Sequence, residues 1–388
     1  MAIPISYNVR NVLQRPVSTI TTAIGIGLTV TIFVGAMALA AGFRAALLKT
    51  GSADNAIALR KGADSEISSG VAREAAGILR ALPDLVVGPD GRPLASAELV
   101  VVMNKPRLGQ PGSSNLTVRG LDPSAVGVRA QVKIVEGRMF SPGSDEVIVG
   151  RRIAPRFANC VVGEKIRFQQ RDFTVVGHFG AGGASFESEI WGDAAVLMPA
   201  LGRDAFQTVT FRMRDPSRFE ALKKELEADP RLQIQLRRES EFYSSQSELL
   251  TNLIRFMGIF ITAIMAVGAI FGAMNTMYAA VGSRTREIAT LLVLGFGPGA
   301  IMASFMLESL ILSLIGGAIG CLLALPINGI TTSTTNFQSF SELAFAFRVT
   351  PAALLAGMIF AALMGVVGGF LPALRAARQP IARTLREP

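Results

Sequence analysis

One histidine, two cysteines and one tryptophan stand in 388 residues, and each scarcity removes a class of chemistry. A lone imidazole, His178, excludes histidine clusters and leaves histidine-based catalysis almost without candidates. Cys160 and Cys321 are too few for a disulfide-stapled scaffold or a cysteine-rich metal site. Charge is also sparse: 17% of the residues are Asp, Glu, Lys or Arg, against about 25% in soluble domains. No Gly-rich loop carries a Lys and a Ser or Thr to cradle phosphates. The nearest string, GFRAALLKT over 42–50, lacks the glycine before Lys49. An ATP-hydrolysing site is therefore not expected within these residues, and the chain itself is expected to be neither an enzyme nor a cofactor binder.

What is abundant is apolar surface. Half of the residues are hydrophobic and the mean hydropathy is +0.43, which points to a membrane protein. A bilayer core of about 30 Å needs about 20 mainly apolar residues in a helix. Four such runs occur, over 17–42, 256–280, 300–325 and 352–371, and only Glu308 interrupts them. The first follows Arg10 and Arg15 and carries Ala36, Ala38 and Ala40, as a cleaved signal would. It is uncharged from Pro16 to Phe43, however, and a signal's apolar core is about 7–15 residues long, so a retained anchor is expected. The predicted fold is a membrane protein with four transmembrane α-helices and a large α+β extracytoplasmic domain inserted between helices 1 and 2.

Basic residues in short flanks stay on the cytoplasmic side. Arg10, Arg15, Arg284, Arg286, Arg375, Arg378, Arg383 and Arg386 flank one side, and Arg348 alone marks the loop between the last two helices. Both termini are thus expected in the cytoplasm of a multi-pass protein. The eight arginines against Glu287 and Glu387 account for most of the net charge of +9, so anionic lipid, not nucleic acid, is the expected polyanion partner.

The resulting segments are a cytoplasmic start (1–16), helix 1 (17–42), an outside domain with a stalk (43–250), helix 2 (251–280), a cytoplasmic loop (281–298), helix 3 (299–325), an outside loop (326–350), helix 4 (351–371) and a basic tail (372–388). Strands are predicted over 99–102, 116–119, 132–135, 146–149, 165–169, 173–176 and 208–213, and helices over 69–82 and 216–228. The polar stretch 239–250 runs into helix 2 and reads as a stalk that transmits motion, or as an ordinary solvated helix end. The Gly-rich string 180–193 holds the single Trp and reads equally as a partner-contact loop or as a plain loop with the Trp inward.

His178, in FTVVGHF, and Cys160, in ANCVVG, read as structural residues. An intramembrane ionisable group is a functional hypothesis by default, yet a proton relay needs several; Glu308 alone reads as a protonated or hydrogen-bonded packing contact. Asn275, with Gly268, Gly272 and Ala273, suits close helix packing. In the cytoplasmic loop, Val281, Ile288, Leu291 and Leu292 can share one face of a short amphipathic helix, with Arg284, Arg286 and Glu287 elsewhere. Such a helix lies on a membrane or docks into a partner.

These strings together resemble the permease subunits of ABC transporters of the MacB/FtsX type. They are Asn275 followed by Arg284–Ala289, the LGF at 294–296, Glu308 with Gly316, Gly317 and Gly320, GGFLPALRAARQPIARTLR at the end, the N-terminal NVLQRPVSTITTAIGIGLTV, and EGRMF, EVIVG and FTVVG in the outside domain. The resemblance covers essentially the whole chain. It implies a bacterial inner-membrane permease subunit driven by a separate ATPase subunit that binds the ATP, paired with a second permease copy or a related paralogue. A membrane-fusion adaptor or outer-membrane component is a further implied partner. Val281, Arg284, Arg286, Glu287, Ile288 and Leu291 would then form the coupling helix, with Ile288 and Leu291 filling the ATPase groove. ATP-driven movement of the outside domain, for export or extraction, is the implied activity. An FtsX-like signalling scaffold controlling a hydrolase, and an ion-coupled secondary transporter, are the alternatives.

Overall fold

Uncharged runs of helical length have one stable outcome away from water, because only a helix satisfies every backbone polar group within the segment. The computed structural model describes residues 4, 7, 10, 11, 14, 16–109 and 111–379, so Arg15, Arg383 and Arg386 lie outside the described residues. Among these residues four helices are long and apolar enough to cross a membrane: α1 (Pro16–Leu48), α5 (Glu239–Ser283), α7 (Pro298–Ala324, extended by one turn to Ile327) and α8 (Pro351–Ala377). Between them lie α2 (Arg73–Arg80), α3 (Ala194–Ala200), α4 (Phe219–Ala228) and the short α6 (Thr285–Val293). The chain divides into two compact units. A helix unit takes residues up to Ala41, Asn252–Ile330 and Phe347 onward, and a sheet unit takes Gly42–Thr251 with Thr331–Ala346.

In the helix unit, backbones approach at small residues. A Cβ on Gly320 of α7 would stand 2.4 Å from the Gly27 carbonyl oxygen of α1, so only glycine fits there. Thr31 donates to the Gly320 carbonyl (3.2 Å), and Ser309 of α7 donates to the Gly365 carbonyl of α8 (2.7 Å). Close approach with interhelical hydrogen bonds is how helices associate where lipid removes the hydrophobic drive. Ile26, Val30, Val34, Ala361 and Met364 fill the rest of that core.

The sheet unit is built on ten strands: β1 (Asn55–Arg60), β2 (Ala95–Pro106), β3 (Ser113–Leu121), β4 (Lys133–Gly137), β5 (Glu146–Gly150), β6 (Lys165–Phe168), β7 (Arg171–Gly180), β8 (Glu189–Asp193), β9 (Thr208–Arg212) and β10 (Ile234–Arg238). Their order is β10-β1-β9-β2-β3-β8-β5-β7-β4, with β6 also on β7, and parallel pairs β3/β8 and β5/β7 among antiparallel ones. Leu79 of α2 with Phe219 and Leu222 of α4 covers Val209 and Phe211 of β9. Every predicted strand is present, but β1, β8 and β10 were not predicted. β8 corrects the reading of the Gly-rich string: its second half is an interior strand, and Trp191 is buried against Phe179 and Phe186.

A second correction concerns the loop 326–350. It contains an antiparallel hairpin, β11 (Thr331–Asn336) with β12 (Ser341–Ala346), and this hairpin belongs to the sheet unit.

The packing at Gly320 generates a test. Gly320→Val should lower stability in detergent by about 2 kcal/mol, the usual cost of overpacking. Gly35→Ala, where an added Cβ meets nothing within 4 Å, should be neutral. Equal thermal midpoints for the two variants would contradict the close α1/α7 approach.

Candidate functional site

Charges removed from water need counter-charges, and such pairs sit at both ends of α5. Its 45 residues form one helix, about 68 Å long at 1.5 Å per residue. The expected stalk, 239–250, is thus the continuous first part of the helix.

The root lies in the sheet unit. Glu239, the first residue of α5, is fully buried and accepts from Arg129 Nη1 (2.7 Å), Asn55 Nδ2 (2.8 Å) and the Ser52 amide (3.0 Å). A carboxylate there also meets the positive end of the helix dipole. Arg129 and Arg119 share Glu98 Oε2, at 2.5 and 2.8 Å, and Arg119 further donates to Glu66 and Glu189. Trp191 donates its indole N–H to Glu189 (2.7 Å), and both guanidinium groups lie over the Phe186 ring. Burial pushes Glu66 up, but the Arg119 guanidinium overcomes it and holds that carboxyl below the usual range. Burial opposes the charge of Arg119 as well, yet Glu189 and Glu66 raise it well above the normal arginine value.

These six residues, Glu66, Glu98, Arg119, Arg129, Glu189 and Glu239, were missed by sequence reading because their positions share no spacing. The available signal was a charge at an inward strand position, Glu98 in ASAELVVV and Arg119 in LTVRGL.

The other end of α5 lies in the helix unit. The helix breaks at Arg284, whose backbone leaves helical geometry (φ −114°, ψ 20°), and α6 begins at the next residue. Arg284 is 5% exposed and its Nη1 donates to Glu308 Oε2 on α7 at 3.0 Å. Its Nε is 4.0 Å from Glu287 Oε2, which accepts from the Tyr7 hydroxyl at 3.1 Å. Glu308 thus makes a hydrogen-bonded packing contact, one of the two forms expected of it, and makes it as an ion pair. The expectation corrected is that for Arg284, which turns inward to Glu308 instead of toward a partner.

Val281 and Ile288 do share a face, but it packs within the chain. Both are 2% exposed, against Met277, Ile301, Phe305, Ala373 and Ala376. Leu291 is half-buried, so the inward face of α6 is not the groove-filling one expected for Ile288. The open side carries Arg286, Glu287, Thr290, Val293 and Leu294, with Val293 and Leu294 both more than 60% exposed. The LGF string stops the helix: Gly295 takes φ +93°, its N–H reaches the Leu292 carbonyl, and the Phe296 N–H reaches that of Leu291. That is the two-bond Schellman closure, which requires a left-handed residue that glycine adopts without strain.

Asn275 is exposed on α5, and a Cβ on Gly268 or Gly272 would meet nothing within 4 Å. The close packing expected of these residues is therefore not made inside the chain. Only Ala273 is buried, beside Gly368. His178 is held between Glu136 (2.8 Å) and the Cys160 carbonyl (2.7 Å), and Cys160 is fully buried in the core around Phe157, as their apolar settings implied.

Two tests follow from the charge pairs. Arg284→Ala removes the counter-charge beside the buried Glu308 carboxylate and should cost about 3–5 kcal/mol, whereas Arg284→Met with Glu308→Leu should recover most of it. Unfolding midpoints in detergent that fall equally for the single and double changes would show that the pair is not formed. Because the folded Glu66 value is lowered, its contribution to stability is present above the unfolded carboxylate pKa of about 4.3 and is lost as pH falls through the folded value. The midpoint of the wild type should therefore drop more steeply in acid than that of Glu66→Gln; parallel pH profiles would exclude the lowered carboxyl.

Comparison with known proteins places this architecture. Residues 19–229 match the MacB-like periplasmic core domain and residues 259–381 the FtsX-like permease C-terminal domain. The chain is 28% identical over 249 residues to the macrolide export ATP-binding/permease protein MacB 1 of Yersinia pestis, covering 61% of this chain and 37% of that protein. It is 27% identical over 265 residues to the pyoverdine export ATP-binding/permease protein PvdT of Pseudomonas fluorescens, covering 63% and 39%. MacB 1 of Aeromonas hydrophila is 39% identical over 122 residues, 31% of this chain and 18% of that protein. The chain spans well under half the length of these curated relatives. With the first match alone covering more than half of its residues, the chain belongs to the membrane-spanning ABC-transporter permeases of the MacB/FtsX type.

Proposed function

We propose that this chain is the transmembrane permease part of an ABC exporter in which ATP hydrolysis moves the sheet unit on the outer side of the membrane. The observation that carries this reading is α5, one unbroken helix fixed by buried ion pairs at Glu239 and at Arg284. A rod held at both ends passes displacement along its length, whereas a broken or loosely seated one absorbs it. The bias of Arg10, Arg284, Arg286, Arg375 and Arg378 over Arg348 supports α6 facing the cytoplasm.

No phosphate-cradling loop occurs in these 388 residues, so the ATP would be bound and hydrolysed by an ABC-type ATPase lying outside them. That ATPase docks on the open side of α6, with Val293 and Leu294 as the apolar contact and Arg286 and Glu287 at its margin. A second permease copy packs on the open side of α5, where Gly268 and Gly272 lie one turn apart with Asn275 beyond them, a spacing suited to close helix pairing. Two of the relatives are named for macrolide and pyoverdine export. Export of a small molecule of that kind is the role assigned here, with an adaptor receiving it on the outer side.

Tagged protein pulled from its native membrane should carry an ABC ATPase, and the double change Val293→Asp with Leu294→Asp should deplete it more than tenfold with the unfolding midpoint unchanged. Both side chains are exposed, so the variant should fold. Equal recovery from both proteins would remove α6 as the docking element, and no ATPase from either would remove the exporter reading.

A further inference from the structure

The hairpin β11–β12 is the feature of the sheet unit that the stalk does not explain. It is joined to α7 through residues 325–330 and to α8 through 347–350. Those links are bonded to each other, Gly329 N–H to the Phe347 carbonyl and Phe347 N–H to the Ile330 carbonyl, both at 3.0 Å. Four residues, fully extended, reach at most about 14 Å, so the tether to α8 has little slack.

Within the sheet unit the hairpin is clamped. Glu342 is 4% exposed; Arg107 Nη2 reaches it at 2.5 Å and Arg156 Nη1 at 3.5 Å. Thr117 of β3 donates to the Ser341 hydroxyl (2.9 Å), and Asn115 of β3 donates to the Phe340 carbonyl (3.0 Å). The Ala344 amide donates to Ser188 (2.9 Å) and its carbonyl accepts from Arg152 (2.9 Å). Phe345 packs edge-on against Phe43, and a Cβ on Gly42 would collide with the Ala346 carbonyl, so the last strand is also wedged against the end of α1. Leu343, Ala344 and Phe345 are buried in succession, on both faces of β12. A plain surface connection has neither a buried, ion-paired carboxylate nor two buried faces.

We propose that this hairpin is a second coupling strut, held by Glu342, that carries displacement of the α7/α8 pair to β3 independently of α5. The inference rests on the preceding reading that nucleotide drives such a displacement. It makes Glu342 a positioning residue: it touches no transported molecule and acts by keeping β12 seated on β3.

Hydrogen–deuterium exchange on the membrane-reconstituted chain with its co-purified ATPase, with and without ATP, tests it. In the wild type, nucleotide should change exchange both in the stalk, 239–251, and in β2–β3. Glu342→Gln should bind as much ATPase as the wild type and keep the stalk response. Its β11–β12 amides should exchange about tenfold faster, the factor for one lost charge-assisted hydrogen bond, and its β2–β3 response should disappear. Thr117→Val, which removes one neutral contact, should weaken that response in the same direction and serves if Glu342→Gln folds poorly. A full β2–β3 response with a loosened hairpin, or hairpin exchange unchanged in both variants, overturns the strut. A wild type without nucleotide response in either element overturns the ATPase-driven reading itself, and the strut with it.

Discussion

A guanidinium or carboxylate withdrawn from water is tolerated only with its counter-charge beside it, and this constraint organises the molecule. Arg129 with Glu239 and Arg284 with Glu308 each join α5 to a different element of the chain, one pair in each unit. Replacing such pairs with well-packed apolar groups is often neutral or favourable for stability. What the pairs supply is definition: a buried charge can sit only where its counter-charges meet it. The registration of α5 at its two ends is set by these pairs together with the packing of Phe242 and Tyr243 at one end and of Met277 and Val281 at the other.

The helix unit shows the complementary principle. Along α1, α7 and α8 the contacts are made by glycine, serine and threonine, where backbone meets backbone. On α5, Gly268 and Gly272 face outward while Ala273 packs inward beside Gly368, so one kind of residue has two uses depending on which side of a helix carries it. A search for small residues alone does not separate them.

Much of this was legible in the sequence. Four uncharged runs gave four helices, and alternating strands gave most of the sheet, because length and period are local properties. The segment after α5 was legible as a short amphipathic helix, and α6 is one, although its stop at Gly295 was not foreseen. Its faces were inverted, however, since an apolar stripe does not say whether its partner is in the same chain. Glu308 and Arg284 were each singled out, in separate roles, and only the fold brings them together. The Arg119 and Arg129 network was invisible for the same reason: Glu66, Glu98, Glu189 and Glu239 are dispersed over more than 170 positions and meet only when β2, β3 and β8 pair. The hairpin was hidden because TTSTTN has no apolar alternation and β11 stays largely open; the burial lies in β12, whose apolar run is too short to stand out.

The strand order has an evolutionary consequence. The first strand after α1 and the last before α5 are hydrogen-bonded neighbours, β1 against β10, so the segment between those helices leaves and returns at one place and has the layout of an interchangeable cassette. A permease could acquire a new sheet unit by replacing that cassette alone were it not for residues 331–346. Because the hairpin contributes buried side chains to the same unit, a functional chimera must exchange two segments at once. Recombination at a single site would separate Arg107 from Glu342, which ties the inheritance of the sheet unit to that of the last two helices.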